Sequence, residues 1–118
     1  MSSAQAQTKH VSQLAQSLQP MANDATALLK ALAHPARLMI CCQLKAGEMA
    51  VGEIEATLGI RQPRLSRELA KLREIGIVET RREAKVIFYT LTDTRVRALI
   101  EALCAIMLGS QDSKGGVS

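Results

Sequence analysis

Residues 51–76 read VGEIEATLGIRQPRLSRELAKLREIG, and the spacing of leucine, glycine and arginine in this stretch decides the fold. Val51, Ile54 and Leu58 recur at helical spacing and give a short helix one apolar stripe. Gly59 supplies the left-handed residue with which such a helix ends. A tight turn, Gly59-Ile60-Arg61, leads to Pro63, which opens a second helix. There Leu65, Leu69 and Leu72 form the buried stripe, and Gly76 stops it. Arg64, Arg67 and Lys71 fall on the opposite side, with Ser66 flanking them and Gln62 just before. Helix, glycine-containing turn and second helix with an outward basic face make a helix-turn-helix, whose second helix enters a DNA major groove.

Downstream, Ile77-Val78-Glu79-Thr80 and Val86-Ile87-Phe88-Tyr89-Thr90-Leu91 have the β-branched and aromatic enrichment of strands. They flank Arg81-Arg82-Glu83-Ala84-Lys85, a polar tip carrying three basic residues, so the expected element is a hairpin wing. Thr92 is expected to cap a last helix in which Val96, Leu99, Ile100, Leu103, Met107 and Leu108 share one broad face. Upstream, Pro20 opens a helix with Ala25, Leu28, Leu29 and Leu32 as its stripe. His34-Pro35 breaks that helix, because the residue before proline is pushed out of the α region. The next helix, 36–45, contains Leu38-Met39-Ile40-Cys41-Cys42, apolar all round as in a buried helix. The expected organisation is a flexible extension over 1–19, with Leu14 and Leu18 on a short helical turn. A winged helix-turn-helix over 20–108 follows, mainly α with a β-hairpin wing, and then a disordered tail over 109–118.

The composition agrees. The 118 residues hold enough apolar side chains, 47%, for one core. Net charge is +4, and all of it lies in residues 61–85, where eight basic side chains face four acidic ones. A basic stripe on an otherwise neutral body is the footprint of a polyanion binder. Phe88 and Tyr89 are the only aromatics, which excludes base stacking as the main binding mode. No apolar run approaches the roughly 18 residues of a membrane span, and the first twenty residues lack a signal peptide's apolar stretch. A cytoplasmic protein is expected. Three cysteines, an odd number, fit a reducing compartment better than a disulfide framework. There is no glycine-rich phosphate loop, no Ser-His-Asp set, no paired carboxylates and no C-x-x-C, so neither an enzyme nor a cofactor site is indicated.

Several of these motifs together resemble the ArsR/SmtB winged-helix transcriptional repressors. The run Leu29-Lys30-Ala31-Leu32-Ala33-His34-Pro35-Ala36-Arg37-Leu38 is similar to that family's first helix junction. Arg61-Gln62-Pro63-Arg64-Leu65-Ser66-Arg67-Glu68-Leu69, then Leu72-Arg73-Glu74-Ile75-Gly76 and the 81–89 hairpin, follow in the family's order. The match runs from about Ala25 to Leu108, about 70% of the chain. The resemblance implies a homodimer, formed through helices 20–33 and 94–108, that binds an inverted-repeat operator in double-stranded DNA. The DNA contacts then fall to Gln62, Arg64, Ser66, Arg67 and Lys71 on the second helix, and to Arg81, Arg82 and Lys85 on the wing. Ala84 stands where the family usually has glycine.

Two of the family's usual inducer sites are missing. Metal-sensing members carry cysteines on the first helix of the motif, where this chain reads Met49-Ala50-Val51-Gly52-Glu53-Ile54. Others use His and carboxylate pairs on the last helix, which here offers Asp93 and Glu101 without a histidine. Zinc wants several N or S ligands, so no metal site is expected. His34 reads as a helix-boundary residue, and His10 falls in the extension. The cysteines remain. Cys41-Cys42, with Cys104 on the last helix, resemble the thiol-sensing, BigR-like branch that responds to oxidants or persulfide. Cys42 matches that branch's first cysteine; its second falls on Leu108, one turn beyond Cys104. A turn is about 5.4 Å, so the shift leaves open whether Cys41 or Cys42 pairs with Cys104. It also leaves open a constitutive regulator, or one that answers another ligand, with structural cysteines.

Overall fold

The structure is a computed structural model that describes residues 12–117, with side chains described through Gly109. His10 and the rest of 1–11 lie outside the described residues, as do the side chains of 110–117. The chain divides into two compact units, one ending at Lys30 and one beginning at Ala31.

In the first unit, Ser12 starts α1 (Gln13–Leu18) by accepting the Ala15 N–H on its hydroxyl at 3.0 Å. A 3₁₀ turn, Gln19–Met21, contains Pro20 and leads into α2 (Ala22–Leu32). Leu14, Leu18, Met21 and Leu29 are exposed.

The second unit runs α3 (Pro35–Lys45), β1 (Met49–Ala50), α4 (Val51–Leu58), α5 (Arg64–Ile75), β2 (Val78–Glu83), β3 (Val86–Leu91) and α6 (Thr94–Val117). His34 is extended, at φ −133° and ψ 125°, and Pro35 opens α3, as the dipeptide demands. Gly59 closes α4 at φ +68° and Gly76 closes α5 at φ +93°, both left-handed. The expected helix-turn-helix is therefore α4–α5. The core of this unit comes from every element but β1: Ile40 and Leu44, Ile54, Leu65, Leu69 and Leu72, Val78, Leu91, Val96 and Ile100 are all buried. Each contributes about 1.5–3 kcal/mol of burial free energy.

Four details differ from the sequence reading. Met49-Ala50 is a short strand, paired with Tyr89 and Phe88, so the wing is a three-stranded antiparallel sheet in the order β1-β3-β2. Strand β2 reaches Glu83, which moves Arg81, Arg82 and Glu83 from the tip into the ladder and leaves a two-residue turn, Ala84-Lys85. Asp93, not Thr92, caps α6: its Oδ1 accepts the Arg95 N–H at 2.8 Å and the Val96 N–H at 3.3 Å. Aspartate reaches the free N–H groups of a first turn, whereas the Thr92 hydroxyl is turned to the Ile77 carbonyl. Finally, α3 is not buried all round. Ile40, Cys41 and Leu44 face inward, Leu38 and Cys42 are half-buried, and Met39 is 48% exposed.

The broad face expected on the last helix divides along its length. Val96 and Ile100 are buried and Leu99 and Leu103 half-buried, while Ile106, Met107 and Leu108 are exposed. The α6 backbone continues past Leu108 to Val117. Among the described residues no single helix is long and apolar enough to cross a membrane.

Candidate nucleic-acid interface

Helix α5 is two-faced. Leu65, Leu69 and Leu72 have no exposed surface, and Arg64, Arg67 and Lys71 are exposed. At 100° per residue the three cations cluster within one narrow sector opposite the leucines. Burial of the leucines therefore fixes which way the cations point. Lys71 has a loose neighbour, Glu74 at 3.6 Å, both well exposed; such a pair is worth little and breaks easily.

The start of α5 is organised by Gln62. Its Oε1 accepts the Ser66 N–H at 3.0 Å and the Ser66 hydroxyl at 2.6 Å. Gln62 and Ser66, both expected to reach DNA, are thus tied to each other, and Gln62 also satisfies one of the free N–H groups of the helix start.

On the wing, Arg82 and Lys85 are exposed, Arg82 near the end of β2 and Lys85 in the turn itself. Arg81 is differently placed. Its Nε and Nη2 donate to the two carboxylate oxygens of Glu48, both at 2.8 Å, and its Nη1 donates to Glu83 at 2.9 Å. The guanidinium also stacks 4.4 Å over the ring of Phe88, its cross-strand partner. Glu48 accepts a further bond from the Thr90 hydroxyl at 3.1 Å. Hydrogen bonding to Arg81 above all holds the Glu48 carboxyl below its ordinary value, and the same pairing pushes the arginine up. A forked, three-partner arginine anchors the sheet to the segment entering β1.

Two residues important to the site gave no sequence signal. Arg37 of α3 donates to Glu68 of α5 at 2.9 Å, and Glu48 holds Arg81 across 33 residues. Both pairings are tertiary, so neither periodicity nor spacing reveals them.

The cysteines separate by environment. Cys41 is fully buried, and burial, with smaller pushes from Cys42 and Asp93, raises its thiol to about 12. Cys42 is half-buried; burial and then the charge of Cys104 push its thiol up, against a downward pull from Lys45. Cys104 is exposed. Where α3 meets α6, Arg97 donates to the Lys45 carbonyl at 3.0 Å and Lys45 lies 3.6 Å from Glu101. One turn back along α3 is Cys42 and one turn on along α6 is Cys104, so the two thiols share that seam. His34 is exposed at the helix boundary. Among the described residues no three His, Cys, Asp or Glu side chains converge to hold a metal ion.

Comparison with known proteins gives the same frame. Residues 34–80 match the model of the bacterial regulatory protein, arsR family. The chain is 54% identical over 96 residues to the biofilm growth-associated repressor of Agrobacterium fabrum, covering 81% of this chain and 82% of that protein. The solved transcriptional repressor BigR from Xylella fastidiosa superposes with a TM-score of 0.77 at 50% identity, covering 78% of this chain and 94% of the other. Reduced HlyU from Vibrio cholerae superposes with a TM-score of 0.73 at 43% identity, covering 78% and 97%.

Proposed function

The chain belongs to the arsR family of bacterial regulatory proteins, and from that premise we propose that it is a dimeric DNA-binding transcriptional repressor switched by its cysteines. The observation that carries the DNA reading is helix α5, with its leucines buried and Arg64, Arg67 and Lys71 exposed together. Arginine forks to guanine, glutamine to adenine, and serine or lysine reaches phosphate. Gln62, Arg64, Ser66, Arg67 and Lys71 read the major groove, and Arg82 and Lys85 meet the backbone beside it. Arg81 shapes the wing in the free protein, and contacts DNA only by giving up part of its carboxylate shell. The similar repressors support repression over activation.

A dimer follows from the uncovered end of α6. Met107 lies on the same face as buried Val96 and Ile100, yet it is 62% exposed. A second copy across a twofold axis covers that face, with α2 as the other dimer helix. It also sets two reading heads about 34–36 Å apart on an inverted repeat.

The switch is a link between Cys42 and Cys104. Oxidation removes two electrons and two protons from the pair, the acceptor being an oxidant or a persulfide, and joins α3 to the dimer helix. Cys41, buried and with its thiol far above neutral pH, is core packing. Reduced HlyU, to which the chain is similar, supports a redox role.

The test is a gel shift on an operator selected from random sequence. Arg67→Ala is expected to cost roughly 1–3 kcal/mol if it reads a base. Unchanged affinity in both Arg64→Ala and Arg67→Ala removes α5 as the reading helix. Operator release by oxidant in wild type and not in Cys104→Ser supports the switch, whereas equal release in both returns the cysteines to packing.

A further inference from the structure

Beside the helix-turn-helix lies a cleft of about 610 Å³ that the DNA reading leaves unused. Its wall is largely apolar: Pro35, Ala36 and Met39 from the start of α3 line it together with Leu58 and Ile60, and Arg61 and Arg64 line it as the charged groups. We propose that this cleft binds a small organic anion with an apolar body, a medium-chain or aryl carboxylate, and that its occupancy excludes DNA.

Three observations converge. Met39 is 48% exposed on a helix whose other large apolar residues are buried or half-buried, so the site presents apolar surface that an occupant removes from water. The guanidiniums of Arg61 and Arg64 have no ion-pair or hydrogen-bond partner among the described residues, whereas those of Arg37, Arg81 and Arg95 each hold a carboxylate. A planar carboxylate is the group two free guanidiniums hold best. The volume is that of a site for a small molecule, which combines an apolar lining with a few polar groups. A DNA backbone supplies the charge and nothing to cover Met39, Leu58 and Ile60. An amphipathic anion supplies both, and the two arginines disfavour any cation.

Arg64 and Gln62 line this cleft and also belong to the proposed reading face. Ligand and operator therefore compete, and each weakens the other by the same factor. That competition rests on the DNA reading; the binding itself does not.

The experiment is a titration of the full chain with octanoate, followed by ¹⁵N amide and methionine-methyl NMR, with octanol as the neutral control. Saturable shifts are expected at the Met39 methyl and at the Gly59, Ile60 and Arg61 amides. Octanol, and octanoate added to Arg61→Ala/Arg64→Ala, are each expected to bind about tenfold more weakly or worse. Met39→Glu, which sets a like charge in the cleft, is expected to abolish the shifts. Absence of shifts at these groups, equal binding of octanol, or shifts confined to Ile106 and Met107 each overturns the site. Octanoate titrated into the operator complex then reads the competition: release supports it, and a complex unchanged at saturating octanoate overturns it while the binding site stands. A chain that binds octanoate and no DNA at all defeats the DNA reading alone.

Discussion

Arg37 Nε lies 2.9 Å from Glu68 Oε1, and the same guanidinium donates through Nη1 to the Ala31 carbonyl at 3.1 Å. One side chain of α3 thus ties the Ala31 backbone, at the start of the second unit, to the middle of α5. Both partners are mostly withdrawn from solvent, at 12% and 20% exposure, so this pair escapes the screening that makes surface ion pairs weak. Arg37→Ala leaves a part-buried carboxylate and a carbonyl without their partner, and is expected to cost about 2 kcal/mol in urea unfolding. Glu68→Gln keeps the shape and costs less. The double variant is expected to lose less than the two single losses together, the sign of a direct interaction. Additive losses would mean that the contact carries no coupling.

The wing separates two kinds of arginine. Arg82→Ala and Lys85→Ala are each expected to lower the salt dependence of DNA binding by about one unit, as a lost phosphate contact does. Arg81→Ala instead loosens the sheet. Its partner Glu48 has a depressed carboxyl, so the pair's stabilisation is present above the ordinary value near 4.5 and is lost as pH falls through the lowered one. The gap between the thermal melts of wild type and Glu48→Gln is therefore expected to narrow as pH falls below that ordinary value, and a gap that stays constant throughout acid titration would contradict the clamp.

Ala84 occupies the left-handed region at φ +56° in the two-residue turn between β2 and β3. An L-residue there costs about 1–2 kcal/mol, and glycine's extra unfolded-state freedom returns about 0.4–1 of it. Ala84→Gly is expected to stabilise the protein by about 0.5–1 kcal/mol, read as a rise in the urea midpoint at constant slope. A fall in stability would show that the turn carries no strain.

Much of this architecture was legible because the deciding signals are local. Gly59 and Gly76 at left-handed helix ends, His34-Pro35 at a break, and leucines three and four apart all act within a few residues. What escaped is non-local. The two-residue strand Met49–Ala50 exists only because Tyr89 and Phe88 lie beside it. Arg81, Arg82 and Glu83 looked like a polar tip because β2 has an exposed face, and a strand with polar residues on it reads as loop. Met39 read as core because a run of five apolar residues hides which one faces outward. The exposed cations of α5 were readable since burial of their opposite face fixes them; the Glu48 and Arg37 anchors lie 33 and 31 residues from their partners and were not.

At the far end of α6, Met107 and Ile106 are 62% and 63% exposed, while Leu103 one turn earlier is half-buried. A charge at Met107 is therefore the cleaner probe of the dimer than one at Leu103, which the chain's own fold partly covers. Met107→Glu is expected to give a monomer in sedimentation at micromolar concentration with an unchanged circular dichroism spectrum. A dimer that persists would place the interface elsewhere.

The cysteines should react in the order of their thiolate access. A thiol reacts as its anion, and Cys41, with no exposed surface and its thiol pushed up to about 12, holds almost none at neutral pH. Cys42 is half-buried and also pushed up, by burial first and by Cys104 second. Cys104 is exposed. Alkylation of the native protein at pH 7.5 is expected to label Cys104 first, Cys42 more slowly and Cys41 only on unfolding. The dependence of Cys42 on Cys104 supplies a further check, because removing the neighbouring charge in Cys104→Ser lowers the Cys42 thiol and is expected to speed its labelling. Mild oxidation of wild type is expected to give a Cys42–Cys104 linkage by peptide mapping, with Cys41 recovered as free thiol. Lys45→Ala removes the downward pull on Cys42 and is expected to slow that linkage. Mapping that finds Cys41 in the bridge would require α3 to rotate by about 100° about its axis, and would overturn the assignment of Cys41 to the core.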